Sequence, residues 1–189
     1  IDTEGVGNVY LEASKIDISS FIDSDIFMRS NQNIPIPNLN NINLNVLEID
    51  KVIGKNGEDI SSINGRINLN DGKIKEMDLA GNFNQNKDTL IQIVYRGADS
   101  DLPVDLGVTT DDGGAFLRFM GIYNQAQEGY MQLRATGRNI NNMTGQMGIE
   151  DILVSDDANL VKIFAESGPN PNRPDIYNVR FKLLKTEFQ

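Results

Sequence analysis

The side chains here that could do chemistry are carboxylates. Asp99 with Asp101, Asp111 with Asp112, and Asp156 with Asp157 form three close acidic pairs. Such groups could hold a divalent cation, or serve as acid and base across a glycosidic bond. Neither task is favoured. A calcium loop needs oxygen ligands at alternate positions ahead of a Gly and a later Glu, and no pair has that pattern. A glycoside-cleaving site usually comes with an aromatic platform for the sugar, and the chain has no Trp. Helix caps and polar turns account for the pairs, because a short carboxylate accepts hydrogen bonds from free backbone N–H groups.

The chain has neither His nor Cys. That removes the thiol nucleophile, the Ser-His-Asp triad and the His-based zinc site. No catalytic residue, metal ligand or cofactor is therefore assigned, and an enzyme is not expected. Gly113-Gly114 lacks the further glycines and the Lys of a phosphate-binding loop. Asn142-Met143-Thr144 fits a glycosylation sequon, which matters only in a eukaryotic secretory route.

With 27 acidic against 17 basic residues, the formal net charge is −10. Nucleic acid is not an expected partner, since phosphate neutralisation needs clustered Lys and Arg. Electrostatic adsorption to anionic headgroups is disfavoured too. The acids are scattered, as on a solubilising surface. No apolar run is long enough to span a membrane as a helix. The chain starts at Ile1 rather than Met, so a fragment or a processed product is expected.

The elements that must carry these side chains read as β-strands. Val9 to Ile22 holds the alternating segments VYLEA and KIDIS, then the apolar pair Phe21-Ile22: one or two strands and a helical turn. Arg29 to Asn41 contains Pro35 and Pro37, which bar a central strand and make this a connector or an edge: either a small domain boundary or, the favoured reading, a crossing between two parts of one sheet. From Ile42 a strand ladder follows, with Ile42, Leu44 and Val46 on one face, then Asn56-Gly57 as a turn. Ile63, Ile67 and Leu69 come next, and Asp71-Gly72 is a hairpin cue. Lys75, Met77, Leu79, Gly81 and Phe83 share a face of the following strand. Leu90–Tyr95, Leu102–Thr109, Tyr130–Ala135, Met147–Val154 and Tyr177–Phe188 complete the ladder.

Two short amphipathic helices interrupt it. Phe116, Phe119, Met120 and Tyr123 line one face of a helix near 114–125, which Asp111 or Asp112 can cap. Leu160, Val161 and Phe164 line another near 157–166, capped by Asp156 or Asp157. A helix this short is marginal alone, so it must dock on the sheet. The expected fold is mainly β: a curled antiparallel sheet, an open trough or half-barrel, capped by one or two short helices. Residues 1–189 form a single unit, with strands and the Pro-containing connector in 1–41 and the main sheet in 42–189. The apolar face is either an ordinary packed core or the inner wall of a trough that meets ligand tails.

The order of elements resembles a known family. The run DDGGAFLRFMGIYNQAQEGYMQLRATG, Asp111 to Gly137, followed by TGQMGIEDILVSDDANLVKIF, is similar to the C-terminal region of the AsmA-like proteins of Gram-negative bacteria. There an acidic turn, a helix ending near Leu-Gly-Leu-Tyr, a Gly-led strand, an acidic strand and a second helix follow in this order. NDGKIKEMDLAG resembles the family's repeated strand pair, and the likeness covers about Lys15 to Phe164. One departure is that GPNPNRPDIYN replaces the long apolar stretch that usually follows the second helix, so the groove's end is not carried over.

The resemblance implies a periplasmic segment of an inner-membrane-anchored protein, its anchor outside this chain. It implies an apolar β-groove that passes phospholipids or other acyl-chain lipids toward the outer membrane. By parity, Met77, Leu79, Phe83, Ile91, Ile93, Leu106, Val108, Met131 and Leu133 would face that groove, and Phe116, Phe119, Met120 and Tyr123 would cap it. The competing expectation is a non-catalytic structural or outer-membrane-assembly module that docks envelope proteins and has a fully packed β core.

Overall fold

A computed structural model describes residues 7–22, 42–70, 73–84, 86, 88–97, 103–138, 142–166 and 177–188. The strands are β1 (Gly7–Ala13), β2 (Ile16–Asp17), β3 (Ile42–Ile53), β4 (Asp59–Asn70), β5 (Lys73–Phe83), β6 (Leu90–Arg96), β7 (Val104–Thr110), β8 (Ala126–Gln127), β9 (Tyr130–Gly137), β10 (Met143–Ser155) and β11 (Asn178–Phe188). Helical segments are α1 (Ser19–Ile22), α2 (Gly113–Phe119) and α3 (Ala158–Glu166), with a 3-10 turn at Lys55–Gly57.

All these strands belong to one sheet in the order β1-β3-β4-β5-β6-β7-β9-β10-β11, with β2 also beside β3 and β8 beside β10. The sheet is not a closed barrel. From β3 to β11 every pairing is antiparallel. β1 and β2, however, run parallel to β3. The antiparallel expectation is therefore corrected at this edge, and the physical reason is connection length. Residues 23–41 separate α1 from β3, and a parallel return needs a dozen residues or more. The Pro35–Pro37 connector, Asp99, Asp101, Leu102 and GPNPNRP lie outside the described residues.

Local sequence explains the ladder's turns and bends. Asn56 and Gly57 adopt φ of 56° and 76° between β3 and β4, the left-handed region that Asn and Gly tolerate best. Asn70 pairs with Lys73 across the β4–β5 ladder, and Asp71-Gly72 between them lie outside the described residues. Register shifts interrupt β3–β4 between Val46 and Ile49, and β4–β5 at Ser61/Asn64 and Asn68/Leu69. Ser62, at φ 53°, sits in one of these bulges, and both Ile60 and Ile63 reach the core around it. The other displaces Lys75, which strict alternation had placed with Met77.

α2 is shorter than the span near 114–125. It stops at Phe119, and Gly121 turns the chain away with φ 68°. Asp112 caps it, its Oδ1 accepting from the Ala115 N–H at 2.8 Å. The N–H groups of Gly113 and Gly114 donate to the carbonyls of Gly129 and Glu128 at 2.6 and 2.8 Å. That approach requires glycine: a Cβ on Gly114 would lie 2.4 Å from the Gln127 backbone. α3 is likewise capped by Asp157, whose Oδ1 accepts from Asn159 and Leu160 N–H, each at 2.9 Å.

Candidate functional site

The register places all nine predicted groove residues on one face. Ile67, Met77, Tyr95, Leu106 and Ala135 are successive cross-strand partners, and so are Leu79, Ile93, Val108, Leu133 and Met147. One step along the strands comes the row Gly81, Ile91, Thr110, Met131 and Ile149. Facing partners in a sheet point the same way, so an apolar field runs across six strands.

Burial divides that field. Phe83, Ile91, Val108 and Met131 are at most 6% exposed and join Ala115, Leu117 and Phe119 in the core. These four are corrected from groove wall to sealed core, because α2 lies on their end of the face. The Phe83 and Phe119 rings meet edge-on, centroids 6.0 Å apart. Met77, Leu79, Ile93, Leu106 and Leu133 are half-buried. Ile67, Tyr95 and Met147 share their face and their partial exposure; only simple continuation of the alternation could have added Tyr95 and Met147 to the predicted set. Burial also pushes the Tyr95 phenol above its ordinary range, as a low-polarity surface should.

Phe116, Met120 and Tyr123 are half-buried against the core and Phe119 is fully buried, so the predicted cap residues do converge on the apolar face. Leu117, absent from the predicted set, is buried deeper than any of the three. Polar clamps hold this cap. Arg118 Nε donates to Glu58 Oε1 at 2.5 Å, and its guanidinium also donates to the Ala126 carbonyl. Asn56 Nδ2 reaches the Arg118 carbonyl at 2.9 Å and Asn124 Oδ1 at 2.7 Å. Asn84 Nδ2 donates to the second Glu58 oxygen at 2.6 Å. The turn after β3 is thereby tied to the far end of α2.

Tyr123 joins the cap to α3. Its hydroxyl donates to Asp157 Oδ2 at 2.5 Å. Burial first, then this bond and the Asp157 charge, push the phenol up to about 12. The same bond, followed by the Leu160 N–H, holds the Asp157 carboxyl below its ordinary range. Asp112 and Asp157 thus act as helix caps. Among the described residues no three acidic side chains gather as a metal ligand set.

The opposite face is polar. Asn68, Glu76, Arg96, Asp105 and Thr136 are successive partners across β4, β5, β6, β7 and β9. Comparison with protein families, with curated proteins and with solved structures finds no match to this chain.

Proposed function

We propose that this chain is a periplasmic segment of an AsmA-like, bridge-type lipid-transfer protein, anchored to the inner membrane by a segment outside it. The observation that carries the reading is the half-buried apolar field of Met77, Leu79, Ile93, Leu106 and Leu133, set beside a core that α2 already seals. Acyl chains would lie along these residues, each CH₂ kept from water contributing about 0.8 kcal/mol. The headgroup would stay at the wet margin. Transfer on such a surface is passive and needs no nucleophile, metal or cofactor.

The test is native mass spectrometry of the purified chain after exposure to phospholipid vesicles, with Leu133→Glu and Leu106→Glu beside the parent. Bound phospholipid that both variants lose while keeping their circular dichroism supports the reading. Absence of lipid from the parent, or unfolding of both variants, favours the packed-core module instead. One observation speaks for that second reading: β11 is an edge strand with Leu184 and Phe188 exposed, a surface on which another envelope protein could pair.

A further inference from the structure

The polar face of β9, β10 and β11 carries a cleft of about 380 Å³ that the lipid reading leaves unused. Its floor is Gly148. A Cβ built there meets nothing closer than the Leu184 carbonyl at 4.0 Å, so the depression exists because one strand position has no side chain. Gly148 lies between Gln132 of β9 and Lys185 of β11 in the ladder. The row on one side is Tyr130, Glu150 and Leu183; the row on the other is Arg134, Gln146 and Glu187.

We propose that this cleft binds a neutral oligosaccharide. Three features select that ligand class. Tyr130 is 42% exposed, and its hydroxyl accepts from Gln132 Nε2 at 2.9 Å, which lays the ring along β9 toward the position opposite Gly148. Leu183, 50% exposed, stands across Glu150 from it, so two apolar surfaces border one side of the floor and offer contact to the C–H faces of a pyranose. Second, the lining mixes donors and acceptors, with amides at Gln132 and Gln146 and ionic groups that can bond hydroxyls in either sense. Third, the charges cancel. Arg134 and Lys185 face Glu150 and Glu187 in one cleft of a chain whose formal net charge is −10. A phosphate or an ammonium would meet repulsion from one pair as well as attraction from the other, whereas a polyhydroxylated neutral ligand uses both. The cleft is small and lies on the open face of the sheet, so weak binding is expected, with a Kd on the order of 0.1–1 mM.

The experiment is an amide-resonance titration of the chain with chitotetraose and, separately, cellotetraose. Saturable shifts confined to residues 130–134, 146–150 and 183–187 with either sugar are the expected result, and a preference between the two reports on the acetamido group. Gly148→Thr fills the floor at a position with room for a side chain, and should lose at least about tenfold in affinity with its other resonances unmoved. Tyr130→Ala should do the same. The proposal is overturned if neither sugar shifts these residues at about a hundred times that Kd. It is equally overturned if both variants bind as the parent does, or if inorganic phosphate produces the same saturable shifts. None of these outcomes depends on lipid binding at the other face.

Discussion

Arg118 and Glu58 meet at 2.5 Å across the interface between α2 and the turn after β3, their side chains only 18% and 13% exposed. Sixty residues apart in sequence, they lock the cap onto the sheet. Removing one partner leaves the other charge buried without its counter-ion, which costs about 3–5 kcal/mol. Arg118→Met should therefore lower urea-unfolding stability by about 3 kcal/mol, and Arg118→Met with Glu58→Leu should recover much of that loss. A loss in the double variant equal to the sum of the losses in Arg118→Met and Glu58→Leu alone would show that the pair does not couple.

The division of the apolar face into sealed and half-buried parts predicts unequal truncation costs. Met131→Ala opens a cavity beneath α2 and should cost about 2–5 kcal/mol, whereas Leu133→Ala, two residues on, should cost about half as much or less. Chemical denaturation of both variants checks this. A larger loss at Leu133 would place a packed layer over it.

Tyr123 and Asp157 give the chain a two-sided pH dependence. The folded Asp157 carboxyl lies below its ordinary value of 3.8, so its contribution is present above that value and lost as pH falls through the lowered folded one. Tyr123 is raised from 10.0 to about 12, so its contribution is complete below 10 and disappears as pH rises through about 12. Ultraviolet difference absorbance should find Tyr123 titrating late, beside a Tyr95 that burial also raises. In Asp157→Asn that titration should move earlier without reaching the ordinary value, because burial is the larger cause.

Two glycines predict opposite signs. Gly114→Ala forces a Cβ into the Gln127 backbone and should lower the melting temperature markedly. Gly148→Ala enters open space in a strand and should be neutral, or stabilising by about 0.4–1 kcal/mol through the unfolded chain. Thermal unfolding of the two variants separates close approach from mere conformational freedom.

Most of the ladder was legible because period-two alternation is a direct image of sheet geometry: Met77, Leu79, Ile93, Leu106 and Leu133 fell on one face from parity alone. What parity does not carry is coverage. Nothing local distinguishes Met131, under α2, from Leu133, which is only half-buried, since that depends on where a helix docks. Ser62 and Lys75 escaped for a related reason, as a bulge is decided jointly by two strands. The parallel placement of β1 and β2 is a long-range choice with no local signal. Asp112 and Asp157 were legible as caps because a short carboxylate ahead of an apolar period has a local role. The polar cleft was not foreseen, since an empty strand position acquires meaning only from its neighbours on β9 and β11.

That parallel edge also sets an order of assembly. From β3 to β7 each strand pairs with the next one along the chain, and β9 pairs with β10, so these parts of the sheet can grow by successive hairpins. Gly7 must instead find Ile42, 35 positions further along, at a larger entropic cost. The β1–β2 edge is thus expected to add after these hairpins, its amides acquiring hydrogen-exchange protection after those of β9 and β10. Earlier protection of β1 would mean that the sheet nucleates at a long-range parallel pairing.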